Sequence, residues 1–121
     1  MTQRLVRPLA VAIVLFAAGA VLSAHLAMTK SLPAKDATVQ SPTRIQVWFT
    51  QEPSLALSAL SVEGASGKAT LGAIAAGEEN SLVADVSGTL APGAYTITWQ
   101  TAGHDGHVLK GSIPFTVAAT R

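Results

Sequence analysis

The 121-residue sequence contains no cysteine. Disulfide cross-links and thiolate metal chemistry are thereby excluded, and a domain of this size must be held together by its apolar core alone. Charged residues make up 12% of the chain, and a formal net charge of +1 offers no basic surface for nucleic acid. Aromatic residues are scarce at 5%, which leaves little for a flat stacking surface against a polymer. No apolar run reaches the roughly 20 residues that a helix needs to cross a bilayer core. No stretch keeps a helical period, and no serine stands in a nucleophile-elbow setting. The length allows one domain.

What is present begins with a leader. Arg4 and Arg7 precede an unbroken run of apolar residues and glycine, "LAVAIVLFAAGAVL", from Leu9 to Leu22. This is the profile of a secretory signal peptide, so residues 1–24 are expected to be removed and residues 25–121 to form the mature domain. Cleavage after Ala24, behind "LSA", makes His25 the first residue. The "AGA" at Ala18 to Ala20 offers a competing cut, and an uncleaved, tilted leader would tether the chain to the membrane instead. The two arginines are not adjacent, which points to the general secretory route and to metal acquired after export. Loss of Arg4 and Arg7 leaves six basic against seven acidic residues, a formal net charge of −1.

Beyond the leader the apolar pattern has period two. Ile45, Val47 and Phe49 alternate with Gln46 and Trp48, and Leu82 and Ala84 with Val83 and Asp85. Tyr95, Ile97 and Trp99 alternate with Thr96 and Thr98, and Ile113, Phe115 and Val117 with Ser112, Pro114 and Thr116. Turn formers separate these runs at "SPT", "EGASGK", "AAGEEN", "GTLAPG" and "TAGHDG". The pattern predicts an all-β, antiparallel β-sandwich of about seven strands. Pro114 requires its strand to lie at an edge or to turn the missing N–H outward. Trp48, opposite in parity to its apolar neighbours, is expected on the second face or exposed near the site.

Chemistry concentrates in three histidines. His104 and His107 flank Asp105 in "HDGH", and His25 follows the leader. If the chain is extended there, the i, i+2 spacing turns Asp105 and His107 to one side and His104 away from them. A histidine at a mature N-terminus offers its free amine and ring Nδ1 in a six-membered chelate. Added to His107 and Asp105, these make three nitrogens and one oxygen, a set that suits tetragonal Cu(II) better than tetrahedral zinc. The nitrogens must shed protons to bind, so binding weakens in acid. Taken alone, "HDGH" also reads as a solvated turn on Asp105-Gly106, and His25 as a residue beside a cut site.

The order of these features resembles the copper-resistance protein C family, CopC and PcoC. The resemblance rests on the histidine after the leader, on "KSLPAKDA", and on "PTRIQVWFT", a strand ending in F-S or F-T. It is most specific in "APGAYTITWQTAGHDGHVLKGSIPFTV", which looks like the family's G-x-Y-x-V-x-W, D-x-H and G-x-x-x-F-x-V. The resemblance implies a cupredoxin-like or Ig-like barrel sandwich in the periplasm; the chain is expected to be a monomer, and its charge gives no argument for nucleic acid. One Cu(II) per chain would be bound by His25, Asp105 and His107. The implied role is chaperone or buffer rather than enzyme, with an inner-membrane permease of the CopD type as partner.

Three departures bear on that reading. Met28 is the one methionine after processing, so no Met-rich Cu(I) site is expected. Gln51, followed by Glu52, stands where the family often has Glu, and its neutrality would alter copper tuning and release. His104 is expected as a surface histidine, with a fourth protein ligand as the other reading. Two further classes remain: an oxidative copper enzyme with an N-terminal histidine chelate, and an Ig-like adhesion or assembly module in which the histidines are incidental.

Overall fold

The computed structural model describes residues 25–119; the leader expected over residues 1–24 lies outside the described residues. The period-two runs become nine strands: β1 (Met28–Leu32), β2 (Thr38–Val39), β3 (Arg44–Phe49), β4 (Ala59–Gly64), β5 (Gly67–Lys68), β6 (Ala75–Gly77), β7 (Ser81–Asp85), β8 (Gly93–Ala102) and β9 (Val108–Val117). Two of them, β2 and β5, are two residues long, and the other seven account for the expected number. Among the described residues the one helical element is a 3-10 turn at Leu55–Leu57.

The strands form a sandwich of two sheets, ordered β1-β3-β7-β6 and β2-β9-β8-β4-β5, with Greek-key-like crossings between them. Every strand pair is antiparallel except β2 with β9, which run parallel. Alternation decides which side chains meet between the sheets, because successive residues of a strand face opposite ways. Ile45, Val47 and Phe49 of β3 and Leu82 and Ala84 of β7 come from one sheet. Val62, Ile97, Trp99, Ile113, Phe115 and Val117 come from the other, and all are buried. The β-branched residues among them suit a pleated, packed surface.

Two glycines are required by aromatic neighbours. Trp99 pairs across the strands with Gly111, and Tyr95 with Gly64. A Cβ at Gly111 would collide with the Trp99 indole, and one at Gly64 with the Tyr95 ring. The rings therefore lie flat over bare backbone and complete the core: Trp99 meets Phe49 edge-on at 5.2 Å, and Tyr95 stacks on Phe115 at 5.6 Å. Such ring pairs contribute about 0.5–1.5 kcal/mol beyond the area they bury. The Tyr95 hydroxyl donates to the Ala91 carbonyl at 2.7 Å, tying the start of β8 to the turn before it.

Pro114 sits in β9, inside the sheet rather than at its edge, and its missing N–H leaves no gap in the β8 ladder. The Thr116 and Ala118 N–H groups donate to β2 and its flanks, so by alternation the Pro114 nitrogen faces that same side, ahead of the point where β2 begins. Its carbonyl there accepts from the Asp36 N–H. Trp48 lies half-buried on the outer face of the first sheet, with Lys30 Nζ 4.6 Å above its ring.

The Trp99–Gly111 contact leaves no room for a methyl group. Gly111→Ala is expected to cost about 1–3 kcal/mol by overpacking, measured as a lower urea midpoint at unchanged slope.

Candidate metal centre

The residues ahead of β1 are held by one hydroxyl. Thr50, just past β3, accepts from the Ala27 N–H at 3.0 Å and donates to the His25 carbonyl at 3.2 Å through the same Oγ1. Its own N–H donates to the Ala27 carbonyl at 2.8 Å. Leu26, between the two anchored residues, is buried in the core. The His25 backbone is thus placed while its side chain stays exposed.

The β8–β9 connection is a tight turn. The Gly106 N–H donates to the Gly103 carbonyl at 3.0 Å, and Gly106 adopts φ 77°, a left-handed conformation open to glycine without strain. Asp105 Oδ1 accepts from the His107 N–H at 2.9 Å, the self-bond that aspartate forms two residues ahead in turns. The base of the turn is braced from the Leu55–Leu57 side. The Ser54 N–H donates to the Ala102 carbonyl, and Ser58 Oγ lies 2.7 Å from Oγ1 of the fully buried Thr101.

Arm and turn meet at Gly103. A Cβ there would lie 3.4 Å from Gln51 Oε1 and 3.5 Å from Leu26 Cβ, ordinary contact distances, so the second sheet's turn packs beside the first sheet's arm. The result is a cleft of about 600 Å³ at one end of the sandwich. His25, His104, Asp105 and His107 line it together with Gln51, over the apolar side chains of Leu26 and Leu109.

The structure brings His25, Asp105 and His107 into that one cleft across some 80 residues of sequence, but not by the parity argument. The chain is not extended at 104–107; His104 is exposed, as expected of a surface histidine, and also lines the cleft. Glu52 does not reach the cleft; it lines an adjoining hollow with Gly103, His104 and Gly106. Among the described residues no three His, Asp or Glu side chains lie close enough together to hold one metal ion. The donors share a wall, and binding would require exposed side chains to turn inward.

The residue types fit a copper ion: imidazoles and a carboxylate around a cleft with an apolar floor. Asp105 holds the turn through Oδ1, which leaves Oδ2 for a metal. Thr50 was legible only as the last letter of the F-S or F-T pattern. Both serine and threonine carry the hydroxyl that here ties down the arm.

The CopC domain family matches residues 28–118 of the chain. Copper resistance protein C of Xanthomonas campestris pv. juglandis is 31% identical over 102 residues, covering 78% of this chain and 80% of that protein. The crystal structure of PcoC from Escherichia coli, described as a methionine-rich copper resistance protein, superimposes with a TM-score of 0.71 at 26% identity. It covers 78% of this chain and 99% of its own. CopC from Methylosinus trichosporium OB3b gives the same TM-score of 0.71 at 23% identity, over 80% and 97% of the two chains, and supports the fold. A family match over most of the folded residues, with a relative sharing nearly a third of its sequence, shows that the chain belongs to the CopC family of copper resistance proteins.

Proposed function

We propose that the chain is an exported Cu(II) carrier that takes up one copper ion in the cleft and passes it on. The observation that carries this reading is the meeting of His25 with Asp105 and His107 in one cleft, in a chain whose family and relatives are copper resistance proteins. Residues 1–24 act as the leader, and its removal after Ala24 in the periplasm frees the His25 amine. Amine and ring of His25, the His107 imidazole and Asp105 Oδ2 then surround the copper. Gln51, at the cleft wall, can hydrogen-bond a bound water or the amine without adding charge.

The oxidation state follows from donor softness. PcoC is described as methionine rich, whereas this sequence has two methionines, Met1 and Met28. Met28 packs against the core at the start of β1. Nitrogen and carboxylate donors favour Cu(II) over Cu(I). An anionic carboxylate on the metal also opposes redox cycling, which favours a carrier over an oxidative enzyme. The cleft opens at the end of a monomeric sandwich, where an inner-membrane permease of the CopD type can receive the ion. No helix among the described residues is long and apolar enough to cross a membrane.

Protein recovered from the periplasm should begin at His25 by intact mass and carry one copper when Cu(II) is added. His25→Ala or His107→Ala should weaken Cu(II) binding by about two orders of magnitude with an unchanged circular dichroism spectrum, since both side chains are exposed. Unaltered titrations for both variants would overturn the proposal. Asp105→Asn keeps an oxygen for the His107 N–H, so it should preserve the turn while lowering affinity.

The arm provides a separate check. Thr50→Val removes two hydrogen bonds at nearly constant volume, and each is worth about 0.5–1.5 kcal/mol. The Ala27 amide should exchange faster with deuterium, and Cu(II) affinity should fall by about tenfold because the chelating residue loses its anchor.

A further inference from the structure

We infer that His104 is an exchange ligand through which copper enters and leaves the cleft from the adjoining hollow; the inference rests on the copper reading above. Two openings stand side by side at this end of the sandwich, the cleft of about 600 Å³ and a hollow of about 490 Å³ that holds Glu52. Two residues line both, Gly103 and His104. Gly103 has no side chain, so His104 is the one metal-donor side chain common to the two.

Its surroundings suit transient binding. His104 is exposed, and its ring has no hydrogen-bond partner among the described residues. Its backbone lies inside the Gly103–Gly106 turn, whose ends are fixed by the Gly106 N–H bond and by Asp105. The imidazole is thus an exposed donor on a held backbone, lining both the hollow that holds Glu52 and the cleft that holds Asp105 and His107.

The chemistry is ligand substitution without electron transfer. A Cu(II) ion resting at Glu52 gains a bond to a His104 ring nitrogen as one bound water leaves. The His25 amine and ring, His107 and Asp105 then replace Glu52, His104 and the remaining waters, any proton on a binding nitrogen passing to solvent, and copper stays Cu(II) throughout. Release is the reverse path. A donor used in passing and not at rest lowers the barrier in both directions and leaves the equilibrium alone.

The test is stopped-flow binding of Cu(II) to protein beginning at His25, and its release to a competing chelator, both followed by tryptophan fluorescence. His104→Ala should slow uptake and release together by about tenfold, with Kd held within about threefold and an unchanged electron paramagnetic resonance spectrum of the loaded protein. Unchanged rates would make His104 a bystander. A spectrum that changes while Kd rises and release accelerates would make it a resident ligand; either result overturns the inference. Failure of the unsubstituted protein to bind Cu(II) overturns the underlying copper reading instead, and is seen before any variant is compared.

Discussion

Ten cross-strand pairs join β8 to β9 in unbroken register, from Gly93 with Val117 to Ala102 with Val108. This ladder carries much of the molecule at once. Its inner face supplies Ile97, Trp99, Ile113, Phe115 and Val117 to the core, and its closed end is the turn that bears Asp105 and His107. Without disulfides, the position of that turn depends on the packing of the ladder beneath it. The Trp99 ring lies over Gly111 of the same ladder and meets Phe49 of the opposite sheet, so one side chain packs the ladder against the other sheet.

The other half of the site belongs to the first sheet. β1 and β3 bring His25 to the same end of the sandwich, and Thr50 holds it there with hydrogen bonds that are individually small beside the core. Their importance lies in placement rather than stability. Leu26, buried between the anchored residues, adds an apolar contribution to the same end. The cleft thus spans both sheets and is sensitive to how they pack.

Much of the fold was legible because strand parity is a local property. The alternations around Ile45, Leu82, Ile97 and Phe115 correctly separated buried from exposed faces, and the family pattern marked the turn. The same parity argument failed at residues 104–107. A glycine at positive φ and an aspartate bonded to its own backbone break the two-residue alternation there, so His104 joins the cleft. Glu52, next to Gln51 in sequence, lies in the adjoining hollow because the two side chains of that loop diverge around the turn. Pro114 shows a subtler case: its strand is interior, yet the missing N–H faces the side where the short parallel partner has not yet begun.

By itself the sequence determined the donor types, the absence of thiolates, the poverty of thioethers and the apolar alternation that commits the chain to a two-sheet sandwich. These depend on side-chain chemistry and on neighbours a few residues apart. The donor pattern and the family resemblance already group residue 25 with residues 105 and 107, but tertiary structure alone decided that they line one cleft and that His104 lines two openings. Those relations join the ends of different sheets. They follow from core packing, the Gly103 contact with Leu26 and Gln51, and the hydroxyl of Thr50, none of which is written in any single stretch of the chain.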